Sequence, residues 1–191
     1  VGLTFWTLFQ GVLGPAALVF VNKRNFILAG RSVLTHYPLK LVVQGLLVLA
    51  HNALLVIGLL LWLGQVPHWH AVFLPISLAL ICVALFLAST ILALLGSRFR
   101  DIPEMVTALL RVFFFVTPVF WSASTNERAE QLGPVLYLNP FHYALQTVRP
   151  PLLGQPLSVE PFLVVLAITA ALAGLCVWLY RRLAPTTTLW I

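Results

Sequence analysis

Long apolar stretches constrain this chain more than any other feature. Apolar runs occupy about residues 3–21, 39–63, 72–95, 105–121 and 162–180, and a helix needs about 20 residues to cross the hydrocarbon core of a bilayer. Only 8% of the 191 residues are charged, whereas a soluble domain has about a quarter. Because lipid-exposed backbone must form helices or closed barrels, we predict an all-α integral membrane protein. It has five visible transmembrane helices in a single domain, 1–191.

The basic residues fall mainly in the gaps between these runs. Eight of the 11 lie in 23–40, at Arg98 and Arg100, and at Arg181 and Arg182, which share one side if every run spans. The positive-inside rule makes that side cytoplasmic, so the C-terminus is cytoplasmic and Val1 faces outward. This placement indicates membrane topology rather than nucleic-acid binding, despite a net charge of +6. It also predicts that one earlier span precedes the sequence.

Two segments outside the runs mix apolar and polar residues. The stretch 22-NKRNFILAGRSVLTHYPLK-40 predicts an amphipathic element on the cytoplasmic face, which either lies on anionic lipid or docks a soluble partner. The stretch 135-VLYLNPFHYALQTV-148 is too short to cross the membrane. It predicts either a re-entrant hairpin that turns at Asn139 and Pro140 or an interfacial helix that lies flat.

No motif for catalysis, metal binding or nucleotide binding emerges. The P-loop pattern is missing, so we expect no cofactor in this chain and no enzymatic activity of its own. His68 and His70 flank Trp69 in an outer loop, which favours an interfacial aromatic anchor over a metal site because further ligands are lacking. Cys82 and Cys176 each lie in an apolar run and are interpreted as small core residues.

Polar and aromatic residues interrupt two of the runs. His51 and Asn52 lie midway along the second, where side chains bond across helices or line a path. Arg111 lies about 10 Å inside the fourth, and either snorkels to the cytoplasm or faces a polar conduit. The stretch 112-VFFFVTPVFW-121 has five aromatic residues in ten, and Pro118 predicts a kink. Its rings could stack on sugar rings, form an aromatic belt at the outer membrane boundary, or pack against lipid and other helices.

A combination of motifs gives the chain a family resemblance. The stretch RFRDIPEMVTALLRVFFFVTPVFW, residues 98–121, resembles the signature region of type-2 ABC permeases that export polysaccharide, in the O-antigen and capsule branch. Further similarities are 51-HN-52, 139-NPFHYALQTVRPPLLG-154 and 180-YRRLAPTTTLW-190, with a weaker one at 5-FWTLF-9. They occur in the family's order and cover essentially the whole chain.

The resemblance implies an architecture and partners. Members have six transmembrane helices, form homodimers, and pair with two copies of an ATPase subunit that binds the ATP. They move a glycan on an undecaprenyl diphosphate carrier across the bacterial inner membrane, from cytoplasm to periplasm. This sequence departs from the family by lacking the N-terminal interface helix and the first span. Export of a drug or small lipid by a related permease is the alternative. A membrane enzyme is disfavoured because the five carboxylates are scattered.

The resemblance also suggests roles for particular residues. It implies a cytoplasmic gate or diphosphate contact, a translocation path, a coupling surface for the ATPase, and a periplasmic gate, with His51 and Asn52 as intramembrane polar residues. The gate or diphosphate contact comprises Arg98, Arg100 and Asp101. The translocation path comprises Arg111, Phe113, Phe114, Phe115, Pro118 and Trp121. The coupling surface comprises Asn25, Phe26 and Arg31, and the periplasmic gate comprises Asn139, Pro140 and Arg149.

Overall fold

The computed structural model of the chain describes residues 1–30, 33–62, 72–119, 136–153 and 158–190. Within these ranges the chain is almost entirely helical and has no strand, so the all-α prediction is confirmed. The helices are α1 (Gly2–Ala16), α2 (Val19–Asn22), α3 (Arg24–Leu28), α4 (His36–Trp62), α5 (Leu74–Arg98), α6 (Ile102–Val116), α7 (Pro140–Leu153), α8 (Val159–Leu183) and α9 (Thr187–Trp190). A 3-10 turn, Ala184–Thr186, joins α8 to α9.

Three described helices are long and apolar enough to cross a membrane: α4, α5 and α8. They coincide with the second, third and fifth predicted spans. The first and fourth correspond to α1 and α6, which have 15 residues each and reach about 22 Å at 1.5 Å per residue. That is shorter than a hydrocarbon core of about 30 Å. The predicted total of five spans is therefore not confirmed, whereas a multi-pass membrane protein is.

Proline explains why α6 is short. Pro118 has no backbone N–H and disfavours helical backbone at the residue before it. The helix accordingly ends at Val116, and Thr117 is extended, with φ −74° and ψ 135°. The predicted kink is thus a helix end. Trp121, which was predicted to continue the span, lies outside the described residues.

Helix α1 forms the centre of the bundle although its sequence is shorter than a span. It packs against α4, α5, α6 and α7, and its side chains at Trp6, Leu8, Phe9 and Val12 are almost completely buried. Gly45 of α4 permits the close approach, because a Cβ there would lie 2.7 Å from a methyl group of Val12. Leu3, Gln10, Gly11 and Pro15 remain exposed, so α1 is buried around most of its circumference and leaves one stripe open.

A second apolar cluster gathers three separate parts of the chain at one end of the bundle. Its buried residues come from α2, α3, α5 and α8, and include Phe20, Ile27, Leu94 and Leu179. This packing brings together the ends of α5 and α8 and the α2–α3 segment. We call this the basic end, because it carries Lys23, Arg24, Arg98, Arg100, Arg181 and Arg182.

Candidate functional site

The C-terminal end of α6 is held by α7 through buried hydrogen bonds. Asn139, which is 1% exposed, donates from Nδ2 to Oγ1 of Thr117 at 2.8 Å. Its Oδ1 accepts the backbone N–H of Phe141 at 3.0 Å. Asn139 therefore ties the residue that ends α6 to the first turn of α7. Pro140 begins α7 directly after it, and proline suits the first turn of a helix.

Arg149 completes this attachment from the other end of α7. Its Nη2 donates to the carbonyl oxygen of Pro118 at 2.8 Å and lies 3.4 Å from that of Val119. A cation at a helix C-terminus also opposes the negative end of the helix dipole. We call Thr117, Pro118, Val119, Asn139 and Arg149 the clamp. The structure thus brings together Pro118, assigned to the path, and all the residues predicted for the periplasmic gate.

Other contacts position α7 on the bundle. Ser77 of α5 donates to the carbonyl oxygen of Thr147 at 3.0 Å, and both side chains are buried. His142 is buried as well, with Nε2 2.8 Å from the amide nitrogen of Gln146. One face of α7 is therefore fixed against α1, α5 and α8. The position of residues 135–148 relative to the membrane, as a re-entrant hairpin or as an interfacial helix, stays a prediction.

An open groove of about 460 Å³ lies between α1 and α6, and we call it the α1–α6 groove. Its lining includes three residues predicted for the translocation path: Arg111, Phe114 and Phe115. Arg111 is exposed there, and the ring of Phe115 is 77% exposed. The lining is completed by Trp6, Gln10, Gly14, Thr107 and Leu110. The groove thus combines aromatic faces with a guanidinium and an amide.

Phe113 differs from its neighbours because it packs inward. Its ring centroid lies 5.3 Å from that of Phe141, which also lies 5.2 Å from Phe9 and 5.4 Å from Trp6. Phe114 bridges the two environments, since it lines the groove and lies 5.4 Å from Trp6. Among the three consecutive phenylalanines, Phe113 supports the wall of the groove and Phe115 presents the most surface.

The turn between α5 and α6 leaves its charged side chains exposed. Arg98, Arg100 and Asp101 are all exposed, and Asp101 precedes α6 without making a side-chain capping bond. Arg98 lies over two aromatic rings, with Cζ 5.6 Å from the centroid of Phe99 and 5.4 Å from that of Trp190. The turn therefore presents guanidinium groups that suit phosphate oxygens.

The remaining predicted residues are distributed over two helices. Asn25 and Phe26 are exposed on α3, while Arg31 lies outside the described residues. His51 is exposed on α4, and Asn52 lies with Nδ2 3.5 Å from Oγ1 of Thr7 on α1. Asn52 thus contacts another helix, which is one of the two roles expected for a polar residue at its depth.

Several contributors to these sites were missed in the sequence. Thr117 and Phe141 adjoin the predicted Pro118 and Pro140, and Trp6 lies in the FWTLF motif, so local signals existed. Gln10 and Thr107 had no signal, because only the packing of α1 on α6 gives them a shared groove.

Comparison with known proteins agrees with the sequence resemblance. No protein-family model matches the chain. The O-antigen export system permease protein RfbA of Myxococcus xanthus is 35% identical to it over 143 residues, which are 73% of this chain and 54% of that protein. The predicted resemblance to polysaccharide-export permeases is confirmed. The chain spans about half the length of this curated relative.

Proposed function

We propose that the chain is the membrane subunit of an ATP-driven exporter in the bacterial inner membrane. Its cargo is a lipid-linked polysaccharide of O-antigen or capsule type, moved from cytoplasm to periplasm. The relative is by name an O-antigen export permease. The observation that carries the proposal is the α1–α6 groove, where aromatic rings and Arg111 share one open surface. Aromatic faces contact sugars of any sequence, and many weak contacts allow a polymer to slide.

The gathered basic end supports the proposed orientation. Three basic segments that are distant in sequence meet there through one apolar cluster. An excess of lysine and arginine marks the cytoplasmic side of a membrane protein. The C-terminus and the α2–α3 segment then face the cytoplasm, where Asn25 and Phe26 are accessible to a separate ATPase subunit. That subunit binds and hydrolyses the ATP.

A homodimer would convert the open groove into a conduit. A single copy leaves Arg111 and Phe115 exposed, and a second copy facing it supplies the opposite wall. Arg100 and Asp101 lie at the cytoplasmic end of α6, where a diphosphate would arrive, and the clamp lies at its other end as the periplasmic gate. ATP binding drives opening of the conduit because the paired ATPase subunits bind ATP more tightly in their closed state than in their open state.

Export by the native host tests the function. Arg111→Ala and Asp101→Asn should reduce surface polysaccharide at least about tenfold, as expected for loss of a charged contact of about 1.4 kcal/mol or more, while lipid-linked glycan accumulates inside. Arg181→Ala is the matched control, because it removes an exposed arginine of α8 that lies outside the groove. Normal export by both variants at normal protein levels would contradict the roles given to Arg111 and Asp101. If a strain that lacks the gene for this chain still shows an unchanged amount of surface polysaccharide, export of a drug or small lipid would be favoured instead.

Cross-linking tests the dimer separately. Phe115→Cys should give a covalent dimer with a short bis-maleimide reagent in intact membranes, because the two grooves face each other. Leu55→Cys is the control: Leu55 is 71% exposed on α4 and does not line the groove. The unmodified chain checks the background from Cys82 and Cys176. Equal cross-linking from both introduced cysteines would argue against the proposed interface.

A further inference from the structure

Cationic side chains at the basic end lie over aromatic rings. Cζ of Arg98 is 5.4 Å from the ring centroid of Trp190, and Cζ of Arg182 is 5.0 Å from that of Trp178. Nζ of Lys23 is 5.9 Å from the ring of Phe26. These distances are within the range of about 6 Å at which a cation is attracted to an aromatic face.

The fold builds the first of these pairs from distant parts of the chain. After α8, the 3-10 turn and α9 fold back so that α9 packs against α5. Thr187 anchors this tail, since it is 1% exposed and its Oγ1 donates to the carbonyl oxygen of Leu183 at 2.9 Å. The tail thereby places Trp190 beside Arg98, at the C-terminal end of α5.

Both pairs leave polar surface free. Trp178 is 52% exposed and Trp190 is 53% exposed, and both arginines are exposed as well. Within the described ranges, the recorded partners of these two guanidinium groups are rings rather than carboxylates. A guanidinium stacked on a ring keeps its N–H edge available, and its planar fork fits two phosphate oxygens.

We propose that the Arg98–Trp190 and Arg182–Trp178 pairs bind the headgroups of anionic phospholipids. The half-exposed indoles suit the headgroup level of a bilayer, and the arginines suit the headgroup phosphate. A free phosphate would use the arginines alone. The helix dipole accounts for basic residues in the last turns of α5 and α8, including Arg181, but it gives no reason for stacking. Arg98 also belongs to the predicted gate or diphosphate contact, so the lipid site shares this one residue with the proposed function, whereas Arg182, Trp178 and Trp190 were not assigned to that contact.

Lipid titration of the purified full chain tests the proposal. Native mass spectrometry from detergent would measure the retention of phosphatidylglycerol, with phosphatidylcholine as the zwitterionic comparison. Arg98→Gln and Arg182→Gln should each weaken phosphatidylglycerol binding about fivefold. Arg181→Gln is the matched control, because it removes the same charge from the same helical turn without removing a stacked pair. Equal weakening by Arg181→Gln and Arg182→Gln would overturn the site in favour of general charge attraction.

The aromatic partners provide a second test at constant charge. Trp190→Leu and Trp178→Leu should also weaken phosphatidylglycerol binding, because the guanidinium groups lose their preferred orientation. No change would overturn the proposal. If Trp190→Leu lowers the yield of folded protein, the variant Arg98→Lys is tested in its place, since lysine keeps the charge but lacks the planar guanidinium. Arg98→Lys should then bind less tightly than the parent chain, and equal binding would overturn the proposal.

Competition distinguishes a headgroup from a free anion. Soluble inorganic pyrophosphate, added in excess over phosphatidylglycerol, should leave most of the bound lipid in place because it lacks the apolar part that contacts the indoles. Complete displacement would identify a site for free phosphate groups and would overturn the assignment to lipid. Equal retention of phosphatidylcholine and phosphatidylglycerol would overturn it as well.

Discussion

The two ends of α6 hold their polar residues in opposite ways. At its C-terminal end, Asn139 and Arg149 are engaged with Thr117 and Pro118 in the buried or half-buried interior. At its N-terminal end, Arg100 and Asp101 are exposed, and Asp101 does not cap the helix it precedes. The first arrangement fixes the backbone, whereas the second leaves charged groups available to another molecule.

The difference shows that a concentration of charge in the sequence is a poor guide to structural importance. Four of the 16 charged residues lie between Arg98 and Glu104, yet the hydrogen bonds that attach α6 to α7 come from the isolated Asn139 and Arg149. Buried polar groups must be satisfied, because leaving one unpaired costs about 1–3 kcal/mol. Exposed charges have no such requirement, so they remain available to another molecule.

Replacing Asn139 should produce the largest loss of stability. Asn139→Leu removes the donor to Oγ1 of Thr117, which keeps its own bond to the carbonyl oxygen of Phe113, and the acceptor for the N–H of Phe141. It should lower the free energy of unfolding by about 3 kcal/mol. Denaturant unfolding in detergent measures it. The control Asn25→Leu, at an exposed asparagine, should change much less. Equal effects would remove the distinction between the two ends of α6.

Replacing Arg149 should have the next largest effect. Arg149→Met retains much of the side-chain volume but deprives the carbonyl oxygens of Pro118 and Val119 of a charged donor. We expect a loss of about 2 kcal/mol in the free energy of unfolding. Arg149→Lys should recover part of it, because lysine keeps one charged donor. If Arg149→Met is as stable as the parent chain, the Arg149 hydrogen bonds orient α6 and α7 without contributing to the free energy of unfolding.

Asn52 tests an intermediate case, a polar contact between two helices within the bundle. Its 3.5 Å separation from Oγ1 of Thr7 is long, so Asn52→Leu should lower stability by only about 0.6 kcal/mol, the average for such bonds in membranes. A double-mutant cycle with Thr7→Val isolates the pair. A coupling as large as that of Asn139 with Thr117 would make depth in the membrane, rather than burial in the clamp, the controlling variable.

Asp101 should have the smallest effect on stability and thereby sharpen the comparison. Because its side chain makes no capping bond, Asp101→Asn should leave the melting temperature unchanged while export falls. Thermal unfolding and surface polysaccharide are measured on the same variant. A lower melting temperature would place Asp101 among the residues that hold the helix, and the contrast between the ends would fail.

The long helices could be predicted from sequence because their apolar runs are local. The ends of α1 and α6 could not be placed as well, since a run of apolar residues continues past the point where Pro118 ends α6. Asn139 and Arg149 were named, but their bonds join residues 22 and 31 positions apart. Periodicity carries no information at such separations. The stacking of Trp190 on Arg98 escaped prediction for the same reason, because it depends on how the tail folds back.

The contact between α5 and the end of α1 has a mechanical consequence. A Cβ on Gly96 would collide with the backbone of Ala17, so main chain meets main chain there without an intervening side chain. Side chains can absorb a small displacement by changing rotamer, whereas packed backbones cannot. The junction therefore behaves as a stiff pivot. If the α2–α3 segment is the proposed coupling surface, a displacement of it would be passed to the C-terminal end of α5, and from there to the charged turn before α6.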